Sequence, residues 1–442
     1  MANGNGPLAR IVTAATKVAP NEIRATALSF AFLFMLMLAY NILKPVRDAM
    51  ASDWSDPEVA TLWTINFFIS LVAVSVYGFA VARMRFKYLV PGVYAFFAVS
   101  FLAFYLGSSG IEDAVYIEKS FYVWISVFSL FHVSVFWSLM SDVFSKAQAP
   151  RLFAFIASGA SIGTLAGAVV PLFLATIIGT QNLMLIAAAV LVGIIPALGY
   201  LQRLKVTELG NENVNVDLNE QQSIGGNPLA GFTLFLKNPY LLGIGVFILL
   251  YTSVGSFVYF ELKNILEVFS RDERTAIWAG INTSINIIAI ATAWFATGRI
   301  TTRLGLAKTL ALVPVLVAIG LLIVAVNPVM AAIIAAQIIL KGGNYSITRP
   351  GREMLYTVVD RETRFKAKPV IDIVVYRGGD TLTGWAFAGL TTGLGLGLGA
   401  VAAIGAGIAL LWAFVGLYLG RTFKRDDASS GANSIPEAGL SS

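Results

Sequence analysis

Long apolar runs separated by short polar intervals dominate the chain. A helix that crosses a bilayer needs about 20 mostly apolar residues. About twelve runs of that length can be marked out. In the first half they are Ala25–Leu43, Glu58–Ala82, Tyr88–Gly107, Phe121–Ser141, Leu152–Ile178 and Asn182–Leu201. In the second half they are Pro239–Phe260, Thr275–Thr297, Leu304–Val326, Val329–Ile347, Pro369–Leu390 and Leu394–Leu419. The pattern predicts an all-α integral membrane protein. The Gly-rich stretch Gly393–Gly407 blurs the border between the last two runs.

The intervals alternate in charge. Basic residues fill every second one: Arg10, Lys17 and Arg24; Arg83, Arg85 and Lys87; Lys146 and Arg151; Arg203 and Lys205; Arg299, Arg303 and Lys308; Arg361, Arg364, Lys366 and Lys368; Arg421, Lys424 and Arg425. Those between are acidic, neutral or mixed, with Asp48, Asp53, Asp56 and Glu58 in the first and Glu112, Asp113 and Glu118 in the second. Short basic loops stay on the cytoplasmic side. Both termini are therefore expected in the cytoplasm, with the chain in a bacterial inner membrane. The longest polar stretch falls between the sixth and seventh runs and reads as a flexible linker. The expected division is a cytoplasmic N-terminus (1–24), a six-helix half (25–205), a linker (206–237), a second six-helix half (238–422) and a disordered tail (423–442).

Composition fits lipid as the solvent. Hydrophobic residues make up 57% and charged residues 13%, against roughly 25% charged in a soluble domain. A soluble enzyme of this length needs a polar surface that the chain lacks. There are no cysteines and a single histidine, His132, which excludes thiolate nucleophiles, disulfides and Cys- or His-rich metal centres. No metal or other cofactor is expected. The net charge of +6 belongs to the basic loops, so nucleic acid is not expected as a partner. Residues 1–20 contain no cleavable signal peptide pattern. No Walker loop is present, so ATP would be cargo and not fuel.

The two halves echo one another. Lys146 and Arg151 recur as Arg361 and Lys366, each displaced by 215 residues, and Leu43-Lys44 is matched by Leu262-Lys263. Two parallel six-helix repeats with a site at their interface is the major-facilitator arrangement. The loop Gly298-Arg-Ile-Thr-Thr-Arg303-Leu-Gly305 resembles the G-x-x-x-D-R-x-G signature of that fold, with Thr302 in place of the Asp.

A charge at the bilayer centre costs roughly 3 kcal/mol or more, so it must face a cavity or a partner. The first run ends in Lys44-Pro45-Val-Arg47-Asp48. Pro45 disfavours helical geometry at Lys44, so a bend or break is expected there. Lys44 and Asp48 would pair at i,i+4 if the helix continued. A substrate or gating role competes with an interfacial cluster of snorkelling side chains. The eleventh run carries Asp372, Arg377 and Asp380, with Arg377 ~12 Å inside a helix that starts at Pro369. A role in transport competes with a structural ion pair. Lys341 lies within the tenth run and is expected to face a cavity, or to bridge to Asp380 or Asp372. Arg352 ends the tenth run and reads as a gate or a topology determinant. Glu261 and Lys263 end the seventh run, where a gating pair competes with substrate contact. His132 is a candidate proton carrier or a packing residue. Asn66, Asn282 and Asn286 are expected to bond between helices. Inward-facing cations (Lys341, Arg377 and Arg47) point to an anionic substrate.

Three patches resemble the ATP/ADP translocase (nucleotide transporter) family. Leu43-Lys-Pro-Val-Arg47-Asp48 is similar to its first-span motif L-R-x-x-K-D, with Arg47 on the functional lysine. Phe136-Trp137 and Ala149-Pro-Arg151-Leu-Phe153 resemble its F-W…A-K-R-F-Y segment. Phe365-Lys-Ala-Lys368-Pro-Val-Ile-Asp372-Ile-Val-Val is similar to its F-K-A-K-x-x-I-D-V-V motif, and Arg377-Gly-Gly stands near its K-S-G-G. Trp124, Ile125 and Ser126 occupy the place of its fourth-span glutamate, and Glu261 is the candidate for its seventh-span one. The resemblance implies alternating-access exchange of ATP, ADP or a related phosphorylated anion. Lys44, Arg47, Lys341 and Arg377 would bind substrate. Asp48, His132, Glu261, Lys263, Arg352, Asp372 and Asp380 would gate or couple. The alternative is a proton-coupled facilitator of another solute, with Asp372, Asp380 and His132 carrying protons; a non-transporting scaffold or sensor ranks last. The working unit is expected to be a single chain in the bilayer.

Overall fold

The structure is a computed structural model. It describes residues 18–211 and 230–432, apart from 84–85, 112–113, 146, 296, 360–362, 364–366 and 369. The described residues are helical nearly throughout. In lipid no water can satisfy a backbone amide, and a helix closes its hydrogen bonds within one segment. Each apolar run therefore becomes a helix.

The first six long helices are α1 (Ile23–Met50), α2 (Asp56–Arg83), α3 (Phe86–Gly110), α4 (Val115–Val143), α5 (Ala149–Ile178) and α6 (Asn182–Thr207). A short helix, Ala230–Lys237, follows, so the expected linker ends in helix. Then come α7 (Pro239–Ile265), α8 (Arg271–Phe295) and α9 (Thr297–Val326). We take α10 as Met330–Gly343 continued through the π-helical turn Asn344–Thr348 into Arg349–Leu355. We take α11 as the π-helical Val370–Val375, the α-helical Tyr376–Ala388 and the π-helical Gly389–Gly393. The last helix, α12, spans Leu398–Ala432. Residues 423–432, expected as tail, are thus helical, and 433–442 lie outside the described residues. Among the described residues, eleven helices are long and apolar enough to cross a membrane; α11, with Arg377 and Asp380, is a more polar twelfth helix.

Two sequence features behave in opposite ways. Pro45 does not break α1, which runs on to Met50. An internal proline forfeits one backbone bond and crowds the preceding turn, a cost borne here where Pro45 and most of its neighbours are buried. Gly305, the last residue of the signature-like loop, does interrupt α9, with φ 73° and ψ 160°. An L-residue with a Cβ is strained there, so this glycine sets the corner.

Two compact units form. One takes its described residues from Met1–Trp54, Thr64–Gln221 and Leu266–Thr283, the other from Ser55–Trp63, Gln222–Ile265 and Ser284–Ser442. The first turns of α2 therefore pack in the unit that holds α7 and α9–α12. The first turns of α8 pack in the unit that holds α1 and α3–α6. Both arms start alike. The Ser55 amide and hydroxyl donate to the Glu58 carboxylate at 2.8 and 2.7 Å. The Ser270 amide and hydroxyl donate to Glu273 at 2.9 and 2.8 Å. Each glutamate thus satisfies the backbone amide of its serine, which the first turn would leave open. Ser55, Glu58 and Trp63 recur as Ser270, Glu273 and Trp278 at the displacement of 215 residues seen in the loops.

Small residues set the closest helix contacts. Along α5, Gly159, Gly163 and Gly167 lie against the Phe30, Phe34 and Leu38 carbonyls of α1. A Cβ on Gly163 would stand 2.3 Å from the Phe34 oxygen. Gly420 of α12 faces the Ala307 backbone of α9 just as closely, leaving no room for a Cβ. Other contacts tie the loop ends of the first unit: Arg151 donates to Glu22 at 2.8 Å, and Lys205 pairs with Asp142 at 3.0 Å.

Because the Phe34 carbonyl is backbone, Gly163→Val cannot be relieved by a rotamer change. It is expected to destabilise by about 1–3 kcal/mol, read as a lower thermal midpoint of the purified protein. Gly199→Ala, where nothing lies within 4 Å, is expected to be neutral or slightly stabilising.

Candidate functional site

In the unit that holds α7, half-buried charged residues gather beside buried tyrosine and threonine side chains where α10 and α11 pack on α7. Lys341 Nζ lies 5.5 Å from the centroid of the Tyr251 ring, within cation–π range. Gly255, one turn along α7, leaves room for the ammonium, since a Cβ there would stand 3.6 Å from Nζ. Tyr376 faces Tyr251 with ring centroids 6.1 Å apart. Asp380 has Lys341 and Arg377 as its charged neighbours. Lys341 and Arg377 thus lie within electrostatic reach of Asp380. Gly379 lets α11 approach α7 until the Thr252 hydroxyl lies where a Cβ would be, and Ser253 and Thr383 bond across the same contact at 3.1 Å. A π-helical turn follows Lys341 and another precedes Arg377. Such turns shift the phase of a helix by one residue and are frequent at functional sites. The side chain of Asp372 lies outside the described residues. Arg352 bonds to Glu353 at 3.2 Å, and Lys368 joins the same carboxylate at 2.5 Å. Tyr251 also feels the charge of Arg352.

In the other unit the end of α1 supplies the cations. Lys44 does not pair with Asp48. Its ammonium donates to Asn282 Oδ1 of α8 at 2.8 Å, while Asp48 is taken by the adjacent Arg47 at 2.6 Å. The α8 arm brings a neutral acceptor to Lys44, so Asp48 is left to Arg47. The same guanidinium donates to Ser126 Oγ at 3.3 Å and lies 5.4 Å from the Tyr122 ring centroid. Ser126, one of the three residues in the neighbourhood of the family's fourth-span glutamate, thus accepts from Arg47. Asn282 bonds between helices as expected, but Asn66 accepts from Ser70 on its own helix. His132 packs against Tyr40 and Phe128, with ring centroids 4.7 and 5.2 Å away. Its Nδ1 lies 3.2 Å from the Phe128 carbonyl.

The two arms carry most of the remaining buried charge. In the α8 arm, Arg271 pairs with Glu118 and lies 2.6 Å from Asp53. Arg274 also reaches Asp53, at 2.6 Å, and donates to the Ala49 carbonyl at 3.3 Å. In the α2 arm, Asp56 pairs with Lys263 at 2.9 Å and accepts from Thr391 at 2.7 Å and Asn264 at 3.3 Å. Trp63 closes this contact against Phe260, 5.0 Å between centroids, and against Gly384 of α11. Lys263 and Glu261 therefore do not form the expected pair. They are two positions apart on α7 and cannot share a face. Sequence reading treated Asp53, Asp56 and Glu118 only as loop charge. The recurrence of Ser-x-x-Glu and Trp at one displacement could have marked both arms.

Comparison with known proteins agrees with this architecture. The family model of the Major Facilitator Superfamily matches residues 25–352. No curated protein sequence matches. Among solved structures, the nucleoside transporter NupG is similar with a TM-score of 0.64 at 11% identity, covering 89% of this chain and 98% of that one. A bacterial homologue of the human lysosomal transporter Spinster, in an inward-facing and unoccupied conformation, is similar with a TM-score of 0.59 at 13% identity, covering 92% and 99%. At such identities the likeness is one of fold. With most of its length matched by the family model, this multi-pass membrane chain belongs to the Major Facilitator Superfamily.

Proposed function

We propose that the protein is an alternating-access secondary transporter that exchanges a nucleotide or related phosphorylated anion across the bacterial inner membrane. The observation that carries this reading is the pairing of cations with aromatic faces. Lys341 lies over Tyr251 beside Tyr376 and Arg377, and Arg47 lies over Tyr122. Phosphate calls for lysine and arginine, and a base calls for a flat apolar face. One ligand that needs both is a nucleotide. NupG, similar in fold, transports nucleosides by its description, and the three translocase-like patches favour the phosphorylated form. Lys44, Arg47, Lys341 and Arg377 are the substrate-binding residues in this reading. Asp48 orients Arg47, and Asp380, with Asp372 near it in sequence, balances the charge of Lys341 and Arg377. Arg352 and Lys263 serve as gates. The basic intervals place both termini in the cytoplasm, which puts the two arms on the outer side. One chain holds every residue this cycle uses.

A second reading, proton-coupled transport of another solute, is favoured by one observation: the carboxyl of Glu261 is buried without a hydrogen-bond partner among the described residues.

Vesicles loaded with ADP are expected to take up labelled external ATP only when internal ADP is present. Lys341→Gln, Arg377→Gln and Arg47→Gln each remove a charge-assisted contact of about 1.5–3 kcal/mol, so each should weaken ATP affinity about tenfold to a hundredfold. Uptake without internal ADP, or unaltered in all three variants, counts against the reading.

The gate has its own test. The Ala60 Cβ lies 3.6 Å from a Cβ built on Gly384, inside the range a disulfide spans, and the chain has no cysteine of its own. Ala60→Cys with Gly384→Cys is expected to transport when reduced and to stop when oxidised, with recovery on reduction. Undiminished uptake in the cross-linked protein would show that the α2 arm does not move.

A further inference from the structure

Glu261 lies one turn from the end of α7 with no solvent exposure. Among the described residues, neither of its carboxyl oxygens meets a hydrogen-bond partner. Its surroundings explain why nothing serves it. The α2 arm brings a second carboxylate, Asp56, within electrostatic reach. The nearby cation on α7, Lys263, is held by Asp56 at 2.9 Å and by Asn264 at 2.7 Å. The hydroxyl that α11 contributes, Thr391, also goes to Asp56. Trp63 lies against Phe260 and Gly384, so the docked arm covers the turn of α7 that carries Glu261.

An ionised carboxylate enclosed in this way has no partner to offset the loss of water, a penalty of several kcal/mol. The neutral acid avoids most of it. The enclosure depends on the α2 arm, because that arm supplies both the lid and the neighbouring negative charge. If the arm lifts, water reaches the carboxyl and Asp56 leaves with it. Both changes favour the carboxylate.

We propose that Glu261 is a proton-binding site of the transport cycle. It holds a proton while the first turns of α2 are docked on α7 and α11. When they lift, the carboxyl O–H bond breaks, the proton passes to water and a solvated carboxylate remains. Docking reverses the step. Net flux of one proton per cycle would follow wherever the carboxyl is exposed on one side and discharged on the other. The proposal rests on the transporter reading but not on nucleotide as cargo.

The test needs no cargo. The full chain in lipid vesicles is titrated while the infrared C=O stretch of protonated carboxyls is recorded. The wild-type protein at neutral pH is expected to show a band that is missing from Glu261→Gln. If that variant does not fold, Glu261→Asp, which keeps a carboxyl but moves its band, makes the same assignment. Identical wild-type and variant spectra would overturn the proposal, since Glu261 would then be ionised. The Ala60→Cys, Gly384→Cys protein is then titrated in both redox states. The Glu261 band is expected to persist at least one pH unit higher when the arm is cross-linked, a tenfold gain in proton affinity. Equal midpoints in the two states would overturn the link between docking and the proton. Failure of nucleotide uptake would leave both results standing and would point to a different cargo.

Discussion

A charge inside a membrane protein needs a partner, because neither lipid nor packed protein replaces water around it. Among the described residues, four buried charged side chains, Asp56, Lys263, Glu118 and Arg274, meet that need at the two arms. Asp53 holds Arg271 and Arg274, Glu118 shares Arg271, and Asp56 holds Lys263. The same contacts fix where the first turns of α2 and α8 lie. Electrostatic satisfaction and helix placement are therefore one problem with one solution. A protein that moved these arms would have to give every one of these ions another partner, and the simplest partner at the membrane surface is water.

The internal repeat shows how the arms can share a geometry without sharing charges. Asp56 and Arg271 occupy equivalent positions at the 215-residue displacement, with the sign of the charge inverted. An acidic arm start meets a lysine near the end of α7, and a basic arm start meets an aspartate just past the end of α1. Had both repeats kept the same charges, one of the two contacts would have set like charges together, at a cost comparable to the gain of the other. The helix-starting boxes Ser55-x-x-Glu58 and Ser270-x-x-Glu273, which are local, have stayed the same. Local geometry tolerates duplication, whereas a contact between repeats demands complementarity.

That distinction also explains what could be read from the residues alone. The helices follow from apolar length, and the loop charges follow from topology, so the fold was legible almost to the helix ends. Arg377, Lys341 and Asp380 were legible as candidates because a charge in an apolar run is conspicuous. Their partners were not. Lys44 bonds to Asn282, 238 positions away, and Lys263 to Asp56. In both cases the i,i+4 or near-neighbour residue looked sufficient, and the true partner arrived through packing of an arm. The aromatic faces of Tyr251, Tyr376 and Tyr122 were hidden for a different reason. In a chain with 12% aromatic residues, a tyrosine carries no signal until a cation is seen above it.

The helix that departs furthest from what lipid favours is α11. It places Arg377, two glycines and Asp380 in consecutive turns, and both its ends are π-helical. A span selected only to cross the bilayer would have none of these: the charges are costly to bury, the glycines weaken the helix, and a π turn has poorer hydrogen-bond geometry than an α turn. Each is tolerable where a polar path lies alongside, because water or a charged ligand can then complete what the helix leaves open. The neighbouring α10 repeats the combination, with Lys341, two glycines and a π turn. Lys341 of the one lies within electrostatic reach of Asp380 of the other, so both departures from a lipid-favoured helix serve one polar cluster.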